Sequence, residues 1–537
     1  MAHTILISDK FDAEGVRRLE GESDINVVYK GGHSREELLE HIGQANGLII
    51  RSATKVDAEV LARAENLKLV VRAGVGVDNI DIPEASRRGV IVMNAPGGNT
   101  ISTAEQAIGL MMALARHIPQ ANASMKSAKW EKNKFKGIEL TGKTLGVIGL
   151  GRIGKEVVRK ARGFGMEVLG YDPFIPEANL AHLEIEILKK EDLIKRADII
   201  TVHTPLTDAT RDLINMDNLS DLKEGAFLIN CARGGIYNEA ALAEGLKSGR
   251  LGGVALDVLT VEPPPADFPL LQYDNCILTP HLGASTSDAE AAVATETIDE
   301  ILEYFRSGVA RNALNFPTMD PDTLDFLKPF FSGGENIGKL LGHLAGGDFQ
   351  EVEINYYGRI ATYMIQPVTT AILRGGLSLA MGEDDVNFVN APFLAKDRGI
   401  RVIENKDEKV NRPLSSSVEV VFTSSSGEKV RLTYAAINRE PMVISMYGLP
   451  IEFKPEGILV VIQNKDVPRV VGTAGMYLGD LGINIASLEL CRDEKGGTAH
   501  CIIAVDELLD AQGMGNMRQL ENIISAIQVD LRKPEER

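Results

Sequence analysis

Short apolar runs alternate with longer, more polar stretches through the first half of the chain. The first such runs are HTILISD, INVVYK, GLIIRS, LKLVVRAG and VIVMNAP. Runs of this length, apolar at nearly every position, are typical of strands in a parallel sheet that helices cover on both faces. The pattern therefore predicts an α/β domain at the start of the chain.

The same alternation continues after a long helical stretch that opens at Thr100. Its predicted strands are LGVI, MEVLGY, ADIITVHTP, GAFLINCARGG, GGVALDVLT and NCILTPH. A helix from Ser287 to about Phe305 is expected to return to the first domain. We therefore predict two doubly wound, Rossmann-like α/β domains, one formed by residues 1–98 with 288–316 and the other by residues 99–287.

The pattern changes beyond residue 316. Residues 317–452 mix a helix-like stretch, ATYMIQPVTTAILRGGLSLAMG, with alternating strands, VEVVFTSS and EKVRLTYAAI. This mixture predicts an α+β domain in which the pairs Gly333-Gly334, Gly346-Gly347 and Gly375-Gly376 are connections. Residues 453–537 give a strand, a helix, two strands and a C-terminal helix, which is a ferredoxin-like pattern.

Three glycines between the strands LGVI and MEVLGY have the G-x-G-x-x-G spacing. Gly149 permits a tight turn, Gly151 lets backbone N–H groups approach a pyrophosphate, and Gly154 lets the following helix pack on the strand. Asp172, which ends the next strand, would accept hydrogen bonds from a ribose diol and repel a 2′-phosphate. We therefore predict binding of NAD rather than NADP, with a simple glycine-rich turn as the alternative.

Charge and cysteine content exclude several classes of protein. The 537 residues carry a formal net charge of −18, which argues against nucleic-acid binding. The four cysteines include no C-x-x-C pair, so we expect neither a disulfide framework nor a metal site. Since no signal peptide and no apolar run of about 18 residues is visible, we expect a cytoplasmic protein without a membrane span.

Three polar residues, Arg233, Glu262 and His281, each follow a predicted strand. His281 can take a proton from a hydroxyl group, and Glu262 can fix its tautomer and stabilise the imidazolium. Arg233 can hold a carboxylate in a two-pronged grip. Beside a nicotinamide that accepts hydride, these groups predict oxidation of a 2-hydroxy acid. Taken singly, the alternatives are a structural histidine, a solvated loop glutamate and a surface ion pair.

The segments LGVIGLGRIG, NCARGG, LDVLTVEPP and PHLGAST resemble the D-isomer-specific 2-hydroxyacid dehydrogenases. The resemblance implies that Arg233, Glu262 and His281 are catalytic and that Asp257 orients the nicotinamide carboxamide. The implied NAD-binding residues are Gly149, Gly151, Arg152, Ile153, Gly154, Asp172, Thr204, Pro205, Cys231, Ala232, Asp257 and Gly283.

Three earlier segments, IRSATKV, RAGVGVDNIDI and NAPGGNTISTAEQ, resemble the members of this family that oxidise D-3-phosphoglycerate. The resemblance implies that Arg51, Ser52 and Arg72 bind the carboxylate or the phosphate of the substrate, with ordinary surface charge as the alternative. Lys132 is expected to reach the site of a partner subunit. The other residues implied on the substrate side are Gly74, Val75, Gly76 and Asn79.

The C-terminal region resembles an ACT domain, a small-molecule module that often binds serine in this family. The resemblance implies ligand contacts from Asn464, Asp466 and Asn484. Arg469 stands where glycine is usual, which argues against serine inhibition, and a module that serves only dimerisation is the alternative. Residues 317–452 resemble the intervening regulatory or assembly domain of the long form of the family.

The resemblance implies NAD-dependent oxidation of D-3-phosphoglycerate to 3-phosphohydroxypyruvate, the first step of L-serine biosynthesis. It also implies a homodimer or homotetramer, and it leaves regulation by L-serine open because of Arg469. One alternative is another 2-hydroxy acid, such as 2-hydroxyglutarate, D-lactate or glyoxylate, against which Arg51 and Arg72 argue. The others are a non-enzymatic NAD-sensing protein, against which the intact Arg, Glu and His argue, and an amino-acid sensor built on the C-terminal module.

Overall fold

The structure is a computed structural model that describes residues 2–172, 174–175, 177–316, 321–383, 385–409 and 414–532. Contacts divide the chain into two compact units. The first comprises Met1–Lys55, Val70–Ile80 and Met93–Asn312, and the second comprises Val56–Leu69, Asp81–Val92 and Ala313–Arg537. Within the described residues, no helix has both the length and the apolar character that a bilayer crossing requires. The predicted boundaries of four domains stay predictions.

The first sheet is formed by the apolar runs at the start of the chain. Its strands are β1 (His3–Ile7), β2 (Ile25–Val28), β3 (Gly47–Ile50), β4 (Leu69–Arg72) and β5 (Ile91–Asn94), in the order β2-β1-β3-β4-β5. The helices along this stretch are α1 (Ala13–Glu20), α2 (Arg35–His41), α3 (Ala58–Arg63) and α4 (Ile82–Arg87). Strand β1 pairs in parallel with β2 and β3, and every residue of β3 and β5 is buried, as their continuous apolar pattern predicts.

The second sheet is parallel throughout and contains the glycine motif at its centre. Its strands are β6 (Thr144–Ile148), β7 (Glu167–Tyr171), β8 (Glu186–Ile187), β9 (Ile199–Val202), β10 (Ala226–Asn230), β11 (Leu251–Leu256) and β12 (Cys276–Leu278). Their order is β12-β11-β10-β9-β6-β7-β8. The chain order reverses between β6 and β9, and a doubly wound sheet binds its ligand at the carboxyl ends of the strands beside such a reversal.

Helices flank the second sheet and return the chain to the first. They are α5 (Thr100–Ala115), α6 (Ile118–Lys126), α7 (Arg152–Gly163), α8 (Lys190–Arg196), α9 (Glu239–Ser248) and α10 (Ser287–Ser307). Helix α10 packs closely against α1 at Gly15. A Cβ atom on Gly15 would stand 3.1 Å from Cδ1 of Ile298 and 3.2 Å from Cβ of Ala294. The predicted α/β class with two doubly wound sheets is confirmed.

A mixed six-stranded sheet follows in the second unit. Its strands are β13 (Phe349–Gly358), β14 (Arg401–Asp407), β15 (Ser416–Ser424), β16 (Lys429–Ile437), β17 (Glu440–Met446) and β18 (Leu449–Phe453), in the order β14-β13-β15-β16-β17-β18. Its helices are α11 (Pro321–Leu344), α12 (Gln366–Met381) and α13 (Ala391–Asp397). The helix-like stretch predicted from Ala361 is α-helical only from Gln366 onwards, and its first residues end a 3₁₀ helix, Arg359–Thr362.

The prediction that all three glycine pairs are connections is wrong for two of them. Gly333-Gly334 lies inside α11 and Gly375-Gly376 lies inside α12, whereas Gly346-Gly347 does form a turn. A Cβ atom on Gly375 would stand 1.9 Å from the carbonyl oxygen of Glu335 on α11. The glycines therefore let two helix backbones touch, a requirement that the local sequence does not reveal.

The last sheet has the predicted ferredoxin-like order with one strand more than the sequence indicated. Its strands are β19 (Ile458–Lys465), β20 (Ile485–Arg492), β21 (Thr498–Val505) and β22 (Ile523–Asp530), in the order β20-β21-β19-β22. Helices α14 (Val470–Asp480) and α15 (Ala511–Gln519) complete the module. The predicted C-terminal helix is followed by β22, whose Ala526 and Val529 are buried.

Both faces of this last sheet are buried. One face, which includes Val460 and Ile503, packs with residues of α14 and α15. The opposite face, which includes Leu459 and Val529, shares one hydrophobic core with α11, α12 and the six-stranded sheet. The C-terminal module and the sheet before it therefore form a single packed body within the second unit.

The contact of α11 with α12 gives a prediction about stability. Because its Cβ atom would overlap a backbone carbonyl, Gly375→Ala is expected to lower the free energy of unfolding by about 1–3 kcal/mol. Gly472→Ala is the matched control, since Gly472 lies in helix α14 of the same unit with no atom within 4 Å of the added Cβ. The control should be neutral or slightly stabilising in urea unfolding. Equal effects of the two substitutions would contradict the close helix contact.

Candidate active site

Two adjoining cavities, of about 350 and 420 Å³, open at the carboxyl ends of the strands in the first unit. Arg72, His281 and Ala284 line both of them. The first is also lined by Arg51, Ser52, Gly74, Glu262 and Glu290. The second is also lined by Val75, Gly76, Asp78, Asn99, Gly151, Arg152, Ile153, His203, Thr204, Pro205, Cys231, Ala232, Arg233 and Gly283. Most of the predicted site residues therefore share one continuous cleft.

His281 and Glu262 form a hydrogen-bonded pair in this cleft. The Nδ1 atom of His281 lies 2.9 Å from Oε2 of Glu262, and Oε1 of Glu262 accepts a hydrogen bond of 2.9 Å from the Leu259 N–H group. Partial burial raises the pKa of Glu262, but these hydrogen bonds and the charges of His281 and Arg233 outweigh it and hold that pKa below its ordinary value. An ionised Glu262 fixes Nδ1 of the ring, which leaves Nε2 for a ligand.

Asp257 holds the loop that carries His281. Its side chain is 1% exposed and accepts hydrogen bonds from the N–H groups of Leu282 and Gly283, at 2.8 Å each, and from the Thr279 hydroxyl at 2.5 Å. Its carbonyl oxygen accepts from the His281 N–H group at 2.9 Å. Asp257 therefore lies behind the cavity wall and fixes a backbone that is left-handed at His281, with φ of 56°. Its expected role toward the nicotinamide stays a prediction.

The guanidinium group of Arg233 lies against the backbone of a glycine, Gly76. Its Nε atom donates to Oδ2 of Asp78 at 2.8 Å, and its Nη1 atom donates to the carbonyl of Ala232 at 2.6 Å. A Cβ atom on Gly76 would stand 1.5 Å from Nη2 of Arg233, and one on Gly74 would stand 1.9 Å from Nη1 of Arg72. Glycine at these two positions therefore makes room for the two guanidinium groups.

Arg72 is the most deeply buried of the three arginines expected to bind the substrate. Burial, together with the neighbouring charges of Arg233 and Arg51, lowers the pKa of Arg72 to about 10. Its Nε atom is buried and has no hydrogen-bond partner among the described residues. Arg51 and Arg233 each contact a carboxylate, Glu290 and Asp78 respectively. The cleft thus offers an anion one largely uncompensated guanidinium group and two further ones beside it.

The backbone around the glycine motif forms a cradle for a phosphate group. Gly149 has φ of 92°, and a Cβ atom on Gly154 would stand 1.9 Å from the Gly149 carbonyl oxygen. Gly151 precedes the first residue of α7, and no atom lies within 4 Å of the Cβ position there. A pyrophosphate can therefore approach the N-terminus of α7 at Gly151 without a clash.

Three buried polar atoms that have no hydrogen-bond partner among the described residues line the same cavity. They are Oγ1 of Thr204, Oδ1 of Asn99 and Nδ1 of His203. Burial lowers the pKa of His203 to about 4, so its ring is neutral at ordinary pH. Since buried polar groups normally have hydrogen-bond partners, these atoms fit a polar cofactor such as NAD. Asp172 accepts hydrogen bonds from the N–H groups of Leu150 at 2.8 Å and Phe174 at 2.8 Å, beside the cradle.

Two residues predicted on the substrate side lie outside the cavities. The side-chain amide of Asn79 donates to the carbonyl groups of Arg51 at 2.7 Å and Thr54 at 2.6 Å, so Asn79 supports Arg51 from behind. Lys132 is exposed at the start of a short 3₁₀ helix, Lys132–Phe135, and lines neither cavity. A role for Lys132 in a partner subunit stays a prediction.

Four residues that line the cleft were not predicted from the sequence: Asp78, Asn99, His203 and Glu290. Asp78 and Asn99 lie inside the segments RAGVGVDNIDI and NAPGGNTISTAEQ, and the family resemblance of these segments could have indicated both residues. His203 directly precedes Thr204 at the end of β9. Glu290 lies on α10, where an acidic residue at a helix start is ordinary and gives no signal.

The three predicted regulatory residues lie at two ends of the last sheet. Asn464 is opposite Ala499 on β21, and Asp466 accepts hydrogen bonds from Arg492 at 2.8 Å and from the Gly496 N–H group at 2.9 Å. Asn484 instead donates to Asp506 at 2.8 Å, beyond the Val505 end of β21. The two ends are roughly 20 Å apart at the ordinary strand rise. One copy of the chain therefore does not bring the three residues together.

Comparisons with known proteins agree with the geometry of the cleft. The family model of the D-isomer specific 2-hydroxyacid dehydrogenase NAD-binding domain matches residues 108–283. The model of the D-3-phosphoglycerate dehydrogenase intervening domain matches residues 326–444. The crystal structure of the TT0316 protein from Thermus thermophilus is 34% identical, with a TM-score of 0.54, over 58% of this chain and 99% of that chain.

Two relatives match nearly the whole chain, and both are named D-3-phosphoglycerate dehydrogenase. The protein of Methanocaldococcus jannaschii is 41% identical over 532 residues, which cover 98% of this chain and 99% of its own. The protein of Bacillus subtilis is 40% identical over 530 residues, with coverage of 98% and 99%. This chain therefore belongs to the D-3-phosphoglycerate dehydrogenase family, within the D-isomer-specific 2-hydroxyacid dehydrogenases.

Proposed function

We propose that this chain oxidises D-3-phosphoglycerate to 3-phosphohydroxypyruvate with NAD, the first step of L-serine biosynthesis. The observation that carries the proposal is that one cleft holds the His281–Glu262 pair, three guanidinium groups and a phosphate cradle. Relatives that carry the matching name align over nearly the full length. The catalytic residues are Arg233, Glu262 and His281.

The reaction removes a hydride from C2 of the substrate and a proton from the C2 hydroxyl group. NAD, when bound, accepts the hydride at its nicotinamide ring. The Nε2 atom of His281 takes the proton, and the C2 carbonyl forms as the C–H bond breaks. Glu262, 2.9 Å from Nδ1, stabilises the imidazolium that results. In the reverse direction the protonated histidine returns the same proton.

The three arginines divide the charge of the substrate between them. Arg233 lies beside the cofactor cavity, where it can hold the substrate carboxylate and polarise the adjacent carbonyl. Arg51 lines the other cavity and Arg72 lines both, so these two suit the phosphate at the far end of the molecule. Ser52, Gly74, Val75 and Gly76 complete the substrate side as lining residues.

NAD is held by the backbone of Gly149, Gly151 and Gly154 together with the N-terminus of α7. Asp172 lies at the end of β7, where its carboxylate can accept hydrogen bonds from the ribose diol and repel a 2′-phosphate. The remaining contacts come from Thr204 and Asn99, whose buried oxygens have no partner within the described chain. Among these residues, Asp172 favours NAD over NADP.

The C-terminal module suits a homo-oligomer rather than a free monomer. Strand β20 is an edge of its sheet, and antiparallel pairing with β20 of a second copy would bring Asn484 of the partner subunit toward Asp466. A serine site built from Asn464, Asp466 and Asn484 therefore requires two copies. Arg469, with φ of 81° at the start of α14, occupies a backbone position that favours glycine and crowds that site. We place this oligomer in the cytoplasm.

The substrate class is tested with the full chain, NAD and a set of 2-hydroxy acids at alkaline pH. We expect kcat/KM for D-3-phosphoglycerate to exceed that for D-lactate and D-2-hydroxyglutarate by about tenfold or more. The phosphate carries about two charges toward Arg51 and Arg72, whereas the distal carboxylate of D-2-hydroxyglutarate carries one and D-lactate has no second anionic group. Arg72→Ala should raise the KM for D-3-phosphoglycerate by about tenfold or more and leave D-lactate turnover nearly unchanged. Turnover of unphosphorylated acids only, or of none, would contradict the proposal.

The histidine–carboxylate pair gives a prediction about pH. Because the pKa of Glu262 is held below its ordinary value, Glu262 stays charged in neutral and mildly acidic solution. The acid side of the kcat/KM profile should therefore fall with the slope of a single protonation. Glu262→Gln removes the charge that stabilises the imidazolium, so this acid limb should move to lower pH while the plateau falls by about a hundredfold or more. An acid limb that does not move would show that Glu262 does not act on His281.

A further inference from the structure

Glu290 is an acidic residue inside a cleft that must bind an anion. It lies in the first turns of α10 and lines the same cavity as His281 and Arg72. Its Oε1 atom is 3.1 Å from Nη2 of Arg51, so the two side chains form an ion pair across the cavity wall. No role in the proposed reaction accounts for a carboxylate at this point.

Arg51 is fixed in its backbone but free to change the partner of its guanidinium group. Its N–H group donates to Oδ2 of the buried Asp9 at 2.5 Å, and its carbonyl accepts from Asn79 at 2.7 Å. The side chains of Arg51 and Glu290 are 32% and 46% exposed, so water screens their ion pair and its strength is modest. A ligand with more charge can therefore replace Glu290 on Arg51.

We propose that Glu290 competes with the substrate phosphate for Arg51 and so lowers the affinity of the cleft for phosphate groups. This inference rests on the proposed function, since it concerns the phosphate end of the same substrate. Without substrate, Glu290 holds Arg51 and offsets one charge of a cleft where three guanidinium groups repel one another. A phosphate carries about two charges and three acceptor oxygens, so it can displace the Glu290 carboxylate from Arg51. An anion with a single charge cannot displace it.

The competition raises the KM for the phosphorylated acid and weakens the binding of small free anions. A 2-hydroxy acid without a second anionic group, such as D-lactate, has nothing to pair with Arg51, so Glu290 leaves its binding unchanged. The same competition lowers the affinity for free phosphate, which would otherwise occupy the cleft and exclude the substrate. The phosphorylated substrate still binds because Arg233 and Arg72 hold it as well.

The test compares the full chain with its Glu290→Gln variant, which keeps the shape and removes the charge. We expect the KM for D-3-phosphoglycerate and the Kd for inorganic phosphate, measured by titration calorimetry, each to fall by about three- to tenfold. The KM for D-lactate and the affinity for NAD should not change. Asp288→Asn is the matched control, because Asp288 carries the same charge in the same first turn of α10 and lines neither cavity. It should leave all four quantities unchanged.

A second comparison isolates the contact with Arg51. In an Arg51→Ala background, the further change Glu290→Gln should have no effect on the Kd for inorganic phosphate, since the contested guanidinium is absent. An effect of the same size in that background would overturn the proposal, because Glu290 would then act through its charge alone. Unchanged or weaker phosphate binding in Glu290→Gln would overturn it as well.

The phosphate titration keeps the two proposals distinguishable. If the unmodified chain oxidised none of the hydroxy acids, the proposed function would fail, while the titration would still decide the role of Glu290. If the unmodified chain oxidised D-3-phosphoglycerate and Glu290→Gln bound phosphate no better, only the present inference would fail.

Discussion

The cleft concentrates positive charge in a protein whose formal net charge is −18, and the rest of the site depends on that constraint. Three guanidinium groups lie close enough for Arg233 and Arg51 to lower the pKa of Arg72. Like charges at such distances destabilise one another unless carboxylates or an anionic ligand offset them. Asp78 and Glu290 offset two of the three, and the remaining charge makes the cleft a receptor for a multiply charged acid.

The surrounding backbone keeps this arrangement rigid. Gly74 and Gly76 give Arg72 and Arg233 space that any side chain would fill. On the other wall, Asp257 holds the loop of His281 by three backbone hydrogen bonds, and Glu262 orients the ring. Groups that are held before the substrate arrives do not need to reorganise during the reaction. The family relationship and the geometry therefore point to the same chemistry.

Much of the first unit could be predicted because its signals are local. Buried parallel strands are apolar at successive positions, and the glycine motif lies between a strand and a helix, so both the sheets and the cofactor cradle follow from short segments. His281, Glu262 and Arg233 were identified by their places at strand ends. Their convergence followed from the rule that ligands bind at the carboxyl ends of such strands, whereas Arg51 and Arg72 were assigned to the substrate by the resemblance to the family.

The features that sequence reasoning missed depend on contacts between distant segments. The sequence predicts a connection at Gly375, yet this residue lies in α12 where it meets the backbone of α11 near Glu335. Glu290 reads as an ordinary acid at a helix start until α10 brings it to Arg51, which lies far away in the sequence. Strand β22 was not predicted because its sequence mixes small, polar and apolar residues. No local pattern indicates that the C-terminal sheet shares its core with α11 and α12.

The central claim is that the arginines and His281 orient a phosphorylated 2-hydroxy acid in one direction. A crystal structure of the His281→Asn variant with NAD and D-3-phosphoglycerate tests it most directly, since the variant lacks the proton acceptor and retains the substrate. The account predicts the carboxylate on Arg233, the phosphate between Arg51 and Arg72, and the C2 hydroxyl beside residue 281. A phosphate on Arg233, or a substrate that contacts none of the three arginines, would contradict it.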